Sequence, residues 1–189
     1  MITPALQSLY ALWWQPCSVM HPGWWSHLNL DSWLEPYENQ PALGTALNKL
    51  IGLRLGHDEH CPVPELTPTA QILLEDVNRF KMLGIALGLW ALQCPEYLYL
   101  RTYRHALKDA LDDAALEQLQ ALFPVDAKMC QRIAPDALPA AAAALGTAWI
   151  SQADDHAVAA ARLFLPPPDQ HLAPAAPIMP VLSKLLKWL

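Results

Sequence analysis

The sequence predicts an all-α fold: a single irregular helical domain of about seven to nine helices, then a Pro-rich linker and a C-terminal amphipathic helix. Three observations carry that reading. Leucine (34) and alanine (29) make up a third of the 189 residues, while valine, isoleucine and threonine together reach only 19. The first two lose little on entering a helix, whereas β-branched residues favour strands. Apolar residues recur at steps of three and four, the spacing of one helix face, and prolines punctuate the periodic stretches. With 53% hydrophobic residues, a chain of this length buries roughly 70% of its extended surface and requires no disulfide or metal staple.

Residues 3–14 form a short helix that stops before Pro16. His21 to Tyr37 holds one or two helical turns, punctuated by Pro22, Gly23 and Pro36. Pro41 suits a first helical turn, and Leu43, Ala46, Leu47, Leu50 and Ile51 continue at helical spacing up to Gly56. From His57 to Pro68 the chain is polar and proline-rich, hence a loop. Thr67 or Thr69 caps a long helix running to about Gln93, with Leu73, Val77, Phe80, Gly84, Leu87 and Ala91 on one face. Its second half is apolar all round, which places it mid-bundle, and Gly84-x-x-x-Gly88 permits close approach of another helix.

Beyond Pro95, Leu100, Tyr103, Leu107 and Leu111 give an amphipathic helix. Asp112 and Asp113 cap the next, striped by Leu116, Leu119 and Phe123. Asp136 with Pro139 opens an alanine-rich helix with Leu138, Ala142, Leu145 and Trp149 on one face. A short helix from about Asp155 stops at Pro166. The chain thus divides into a helical domain over 1–165, a linker over 166–180 that contains six prolines, and a terminal helix over 181–189. Leu182, Leu185, Leu186 and Leu189 line one face of that helix, which packs on the domain or on a partner.

The net charge of −6 argues against nucleic acid as a partner, because phosphate binding needs cations. Cys17, Cys61, Cys94 and Cys130 lie too far apart for a zinc ribbon and read as reduced thiols. The opening lacks the basic segment of a signal peptide. The longest apolar run, Met82 to Leu92, is eleven residues against about 20 needed to span a bilayer. The expectation is a cytoplasmic protein with no membrane insertion.

Five of the eight tryptophans fall within the first 33 residues (Trp13, Trp14, Trp24, Trp25 and Trp33). Such a cluster beside prolines is either a core seam or a docking surface. His57-Asp58-Glu59-His60-Cys61 is the one metal-like cluster, but it lies in a proline-flanked loop, matches no HExxH spacing and reads as an exposed polar segment. Asp154-Asp155-His156 reads as a helix cap followed by a first-turn histidine. No nucleophile elbow, phosphate loop or dinucleotide turn is present. Arg101, Arg104, His105 and Lys108 share one helix face, which is either a solvated surface neutralised by Asp109, Asp112 and Asp113 or a docking face for an acidic partner.

Several of these segments, in this order, resemble one family: the SctK-type (YscK-like) cytoplasmic accessory proteins of bacterial type III secretion, with OrgA and MxiK as distant relatives. Gln15-Pro16-Cys17-Ser18-Val19-Met20-His21-Pro22-Gly23-Trp24-Trp25 is similar to that family's aromatic–Pro–x–x–hydrophobic–His–Pro opening, with Gln15 at the aromatic position and Trp13 and Trp14 beside it. Leu83-Gly84-Ile85-Ala86-Leu87-Gly88 followed by Cys94 resembles its central helix. Trp149, the segment Arg162-Leu163-Phe164-Leu165-Pro166 and the closing leucine-lysine helix resemble its last third.

The resemblance implies a non-enzymatic adaptor of the sorting platform, without catalytic residues, metal or cofactor. It implies that the protein links the cytoplasmic C-ring (pod) component to the cytoplasmic domain of the inner-membrane ring, peripheral to the membrane. It also favours packing of Trp24 and Trp25 on the bundle. The candidate partner-binding residues are Arg101, Arg104, Lys108, Trp33, Leu185 and Trp188. Two other readings stay open: a secretion chaperone or regulator that binds an exported substrate, and a metal-dependent helical hydrolase using His57, Asp58 and His60.

Overall fold

Side-chain oxygens start several of the helices. Thr3 Oγ1 accepts from the Leu6 amide at 3.3 Å and Thr67 Oγ1 from Ala70 at 3.2 Å. Asp112 accepts from Ala115 at 2.7 Å. Asp155 Oδ1 accepts from Ala157 and Val158 at 2.9 and 3.1 Å. Each bond satisfies an amide that the first helical turn leaves without a partner. Proline occupies one of the first two positions of α-helices at four places among the described residues, where its missing N–H costs nothing.

The computed structural model describes residues 2–57, 62–123, 132–168 and 177–189. The helices are α1 (Pro4–Trp14), α2 (Pro16–Val19), α3 (Gly23–His27), α4 (Leu34–Asn39), α5 (Gly44–Arg54), α6 (Pro68–Glu75) and α7 (Val77–Leu92). Then come α8 (Glu96–Tyr99), α9 (Arg101–Leu107), α10 (Asp113–Leu122), α11 (Leu138–Ile150), α12 (His156–Ala161) and α13 (Ile178–Trp188). Short 3-10 turns join at Asp31–Trp33, Pro41–Leu43, Pro135–Ala137 and Arg162–Phe164. Among the described residues there is no strand, so the protein is all-α.

Two expectations on individual elements change. The long helix expected to run to Gln93 is two helices, α6 and α7, because Asp76 between them turns extended (φ −131°, ψ 97°). Aspartate belongs to helix ends rather than interiors. The C-terminal helix begins at Ile178, three residues before its expected start, with Pro180 in its first turn.

The backbone clusters into two compact units, Met1–Val77 with Asp155–Pro167, and Asn78–Asp154 with Pro168–Leu189. In the first, α1 packs along α6 and is flanked by α2, α5 and α12. Ala5, Leu9, Leu12, Ile51, Leu73 and Val158 form its core. Polar stitches fix its irregular parts. The Cys17 amide donates to Asn48 Oδ1 at 3.0 Å, and the Thr67 hydroxyl donates to the Asp155 carboxylate, so the caps of α6 and α12 are joined. The His21 amide donates to the Leu163 carbonyl at 2.7 Å, and Trp24 Nε1 donates to the Leu165 carbonyl at 2.9 Å. A Cβ on Gly23 would sit 2.9 Å from Pro167 Cδ. The His-Pro-Gly-Trp-Trp opening and the Arg162–Pro166 segment therefore pack on each other. Trp24 and Trp25 are only 4% and 3% exposed, which makes them a core seam.

In the second unit, α7 meets α11 through glycine. A Cβ on Gly88 would collide with the Ala142 carbonyl, and one on Gly146 with the Gly84 carbonyl. Gly84 and Gly88 thus permit the close approach that their spacing predicts. Tyr97 and Tyr103 clamp Ile133: the Tyr97 hydroxyl accepts from its amide at 3.1 Å and the Tyr103 hydroxyl donates to its carbonyl at 2.9 Å. Ile178, Leu182 and Leu185 of α13 are buried. Arg79 Nη2 donates to the Leu186 carbonyl at 3.0 Å, satisfying a C-terminal acceptor of that helix.

Candidate functional site

The residues expected to meet partners divide between the two units. In the first, Trp33 ends a 3-10 turn and is 45% exposed. In the second, Arg101 and Lys108 are exposed on and just after α9, while Arg104 is half-buried. Arg104 Nη2 pairs with Asp113 Oδ1 at 2.9 Å, so part of this basic face is already neutralised. Trp188 is 53% exposed, but Leu185 is fully buried. Leu185 therefore belongs to the core of its unit and offers no side chain to a partner, because its face of α13 is the packed one. Lys184 Nζ lies 5.2 Å from the centre of the Trp90 ring, a cation–π contact.

His57 departs from the exposed loop expected of it. Its ring stacks on Trp13, centroids 3.9 Å apart and planes 13° apart. Gly56 just before it has φ +83°, a left-handed conformation that glycine adopts freely at a helix end. The stacked pair borders two cavities of the first unit. One, about 320 Å³, is also lined by Thr45, Asn48 and Lys49. The other, about 400 Å³, is also lined by Leu55, Pro62, Pro64, Ala159 and Arg162.

The electrostatics of the second cavity are set by burial. Desolvation, with the nearby Arg162 charge, pushes the His57 pKa from 6.5 down to about 4, so the imidazole is neutral at pH 7. Burial also pushes the Arg162 guanidinium below its ordinary value. Trp13 Nε1 and His57 Nδ1 are buried with no hydrogen-bond partner among the described residues. Sequence reasoning missed this site because its parts lie on α1, the segment after α5 and the end of α12. The one available signal was His57 directly after a helix-ending glycine.

Asp58, Glu59, His60 and Cys61 of the metal-like cluster lie outside the described residues, as does Cys130. Among the described residues no group of three or more His, Cys, Asp or Glu side chains is arranged to hold a metal. Cys17 and Cys94 are buried and free, and burial pushes the Cys17 thiol up to about 11, which keeps it protonated. Asp155 caps α12, with His156 in its first turn. No helix among the described residues is long and apolar enough to cross a membrane.

No curated protein and no solved structure matches the chain. A family model described as a type III secretion system subunit matches residues 7–168. That span runs from α1 to just past the Leu165 carbonyl that receives the Trp24 indole, and so takes in both halves of the first unit's motif contact. The chain belongs to this family of type III secretion system subunits.

Proposed function

We propose that the protein is a non-enzymatic adaptor of the type III secretion sorting platform, linking the C-ring (pod) component to the cytoplasmic domain of the inner-membrane ring. The observation that carries the reading is the family match over residues 7–168. It is supported by the contact between the His-Pro-Gly-Trp-Trp opening and the Arg162–Pro166 segment, two of the stretches that resemble SctK-type proteins. Trp33 is exposed on one unit, and Arg101, Lys108 and Trp188 on the other, so each unit carries candidate partner contacts. Tryptophan and arginine are the residue types that anchor such contacts.

A deletion strain tests the role. It should lose secretion and pod assembly, and the tagged protein should co-purify with the C-ring component. Normal secretion with normal pods in the deletion strain would refute the adaptor. Co-purification with exported substrates but no ring component would replace it with the chaperone reading.

A further inference from the structure

We infer that the outer face of α13, formed by Lys184, Lys187 and Trp188, docks an acidic segment of a partner protein, with an apolar side chain of that segment against Trp188. This deepens the adaptor reading and rests on it for the partner being a ring component.

The face follows from the packing of α13. Ile178, Leu182 and Leu185 turn one side of the helix into the core of the second unit. Lys184, Lys187 and Trp188 stand at i, i+3 and i+4 on the other side, and all three are exposed. Arg79 Nη2 on the Leu186 carbonyl, at 3.0 Å, holds the helix in that orientation. Trp188 is 53% exposed, a large apolar ring kept at the surface between two cations. The Lys184 ammonium also lies 5.2 Å from the centre of the Trp90 ring, a contact that orders it.

Charge names the partner. Neither α13 nor α7, which holds its last turn, contains an aspartate or glutamate, in a chain with 18 acidic residues against 12 lysines and arginines. Among the described residues no carboxylate pairs with Lys184 or Lys187. The basic face of α9, which the sequence offers to an acidic partner, is different. Arg104 is spent on Asp113 at 2.9 Å, and exposed Asp109 and Asp112 follow the last turn. An acidic segment meets like charge at α9 and none from α13 itself, and like charges across an interface reject a partner.

The number of cations excludes other anionic partners. Basic segments that recognise a membrane gather about 4–8 lysines or arginines, and nucleic-acid affinity grows with each phosphate neutralised. Two lysines contribute little toward either. Two carboxylates and one apolar side chain of a protein segment match the face one for one, with tryptophan as the anchor.

The test titrates the full chain, by calorimetry, with the purified C-ring component and separately with the cytoplasmic domain of the inner-membrane ring. One of them should bind, and more weakly as salt rises from about 0.05 to 0.5 M. Trp188→Ala and Lys187→Glu should each weaken that binding about tenfold or more at an unchanged unfolding temperature, since both side chains are exposed. Lys187→Arg should retain it, and Lys108→Glu, the same charge change on α9, should leave it unaltered. Carbodiimide coupling of the complex should join Lys184 or Lys187 to an aspartate or glutamate of the bound component.

Binding that ignores salt and both variants overturns the docking face and leaves the adaptor standing. No binding by either component overturns both. An equal loss in Lys108→Glu means a general charge effect. Binding of phosphatidylglycerol vesicles through Lys187 and Trp188 would put a membrane in the partner's place, and self-association abolished by Lys187→Glu would put a second copy there. Each of these three results also overturns the inference.

Discussion

The two compact units are held together by different means. The first is stitched: side-chain donors and acceptors reach irregular backbone, as in Trp24 to the Leu165 carbonyl and Thr67 to Asp155. The second is closed by backbone approach, with Gly88 against Ala142 and Gly84 against Gly146 leaving no room for a single methyl group. Stitches act one at a time and are lost one at a time. A seam of touching backbones has no flexible neighbour to yield, so its failure is all-or-none.

That contrast is broken most severely by Gly88→Val. The added atoms meet the Ala142 backbone rather than a mobile side chain, so the loss should reach about 3 kcal/mol or more. It should exceed the roughly 1 kcal/mol gained by removing a helical glycine. Denaturant unfolding followed by fluorescence should show the second unit lost, and retention of wild-type stability would mean that the α7–α11 approach is wrong. In the first unit, Asp155→Ala removes the acceptor for two α12 amides and for the Thr67 hydroxyl. The expected cost is about 2 kcal/mol, with the unit still folded.

The smallest effect sharpens the contrast by pH. Folded His57 titrates near 4, below its ordinary 6.5. Between those values the unfolded chain binds a proton that the folded one refuses. The stabilising contribution is complete above pH 6.5 and is lost as pH falls toward 4, by about 1–2 kcal/mol once solvent access is allowed for. Arg162 and His156 face the same cavity, so the slope assigned to His57 is the part that His57→Phe abolishes. An unchanged slope in that variant would detach His57 from the effect.

Much of this architecture was legible because its signals are local. Thr67, Asp112 and Asp155 announce helix starts by side-chain chemistry alone, and Gly84-x-x-x-Gly88 announces a close crossing. The break at Asp76 was not legible, since the apolar spacing of Leu73, Val77 and Phe80 runs through it and one extended residue leaves no trace in periodicity. The four-residue helices α2 and α8 are shorter than any window in which a helical period can be counted. The candidate site was the least legible part. Burial of His57 depends on Trp13, far upstream, and the charge beside it comes from Arg162, far downstream. Leu185 shows the reverse case, where a surface expectation failed because an amphipathic stripe says which face is apolar but not what covers it.

The contact between the Trp24 indole and the Leu165 carbonyl has a consequence for synthesis. Residues 78–154, all of them in the second unit, leave the ribosome between the two halves of the first. The Trp24 indole must therefore wait, without its carbonyl acceptor, until the segment around Leu163 and Leu165 emerges. By then the α7–α11 contact of the second unit, Gly88 against Ala142 and Gly84 against Gly146, is already available to form. Order of birth and order of completion are opposed in the first unit, whose opening segment is among the first made and whose closing partner is among the last.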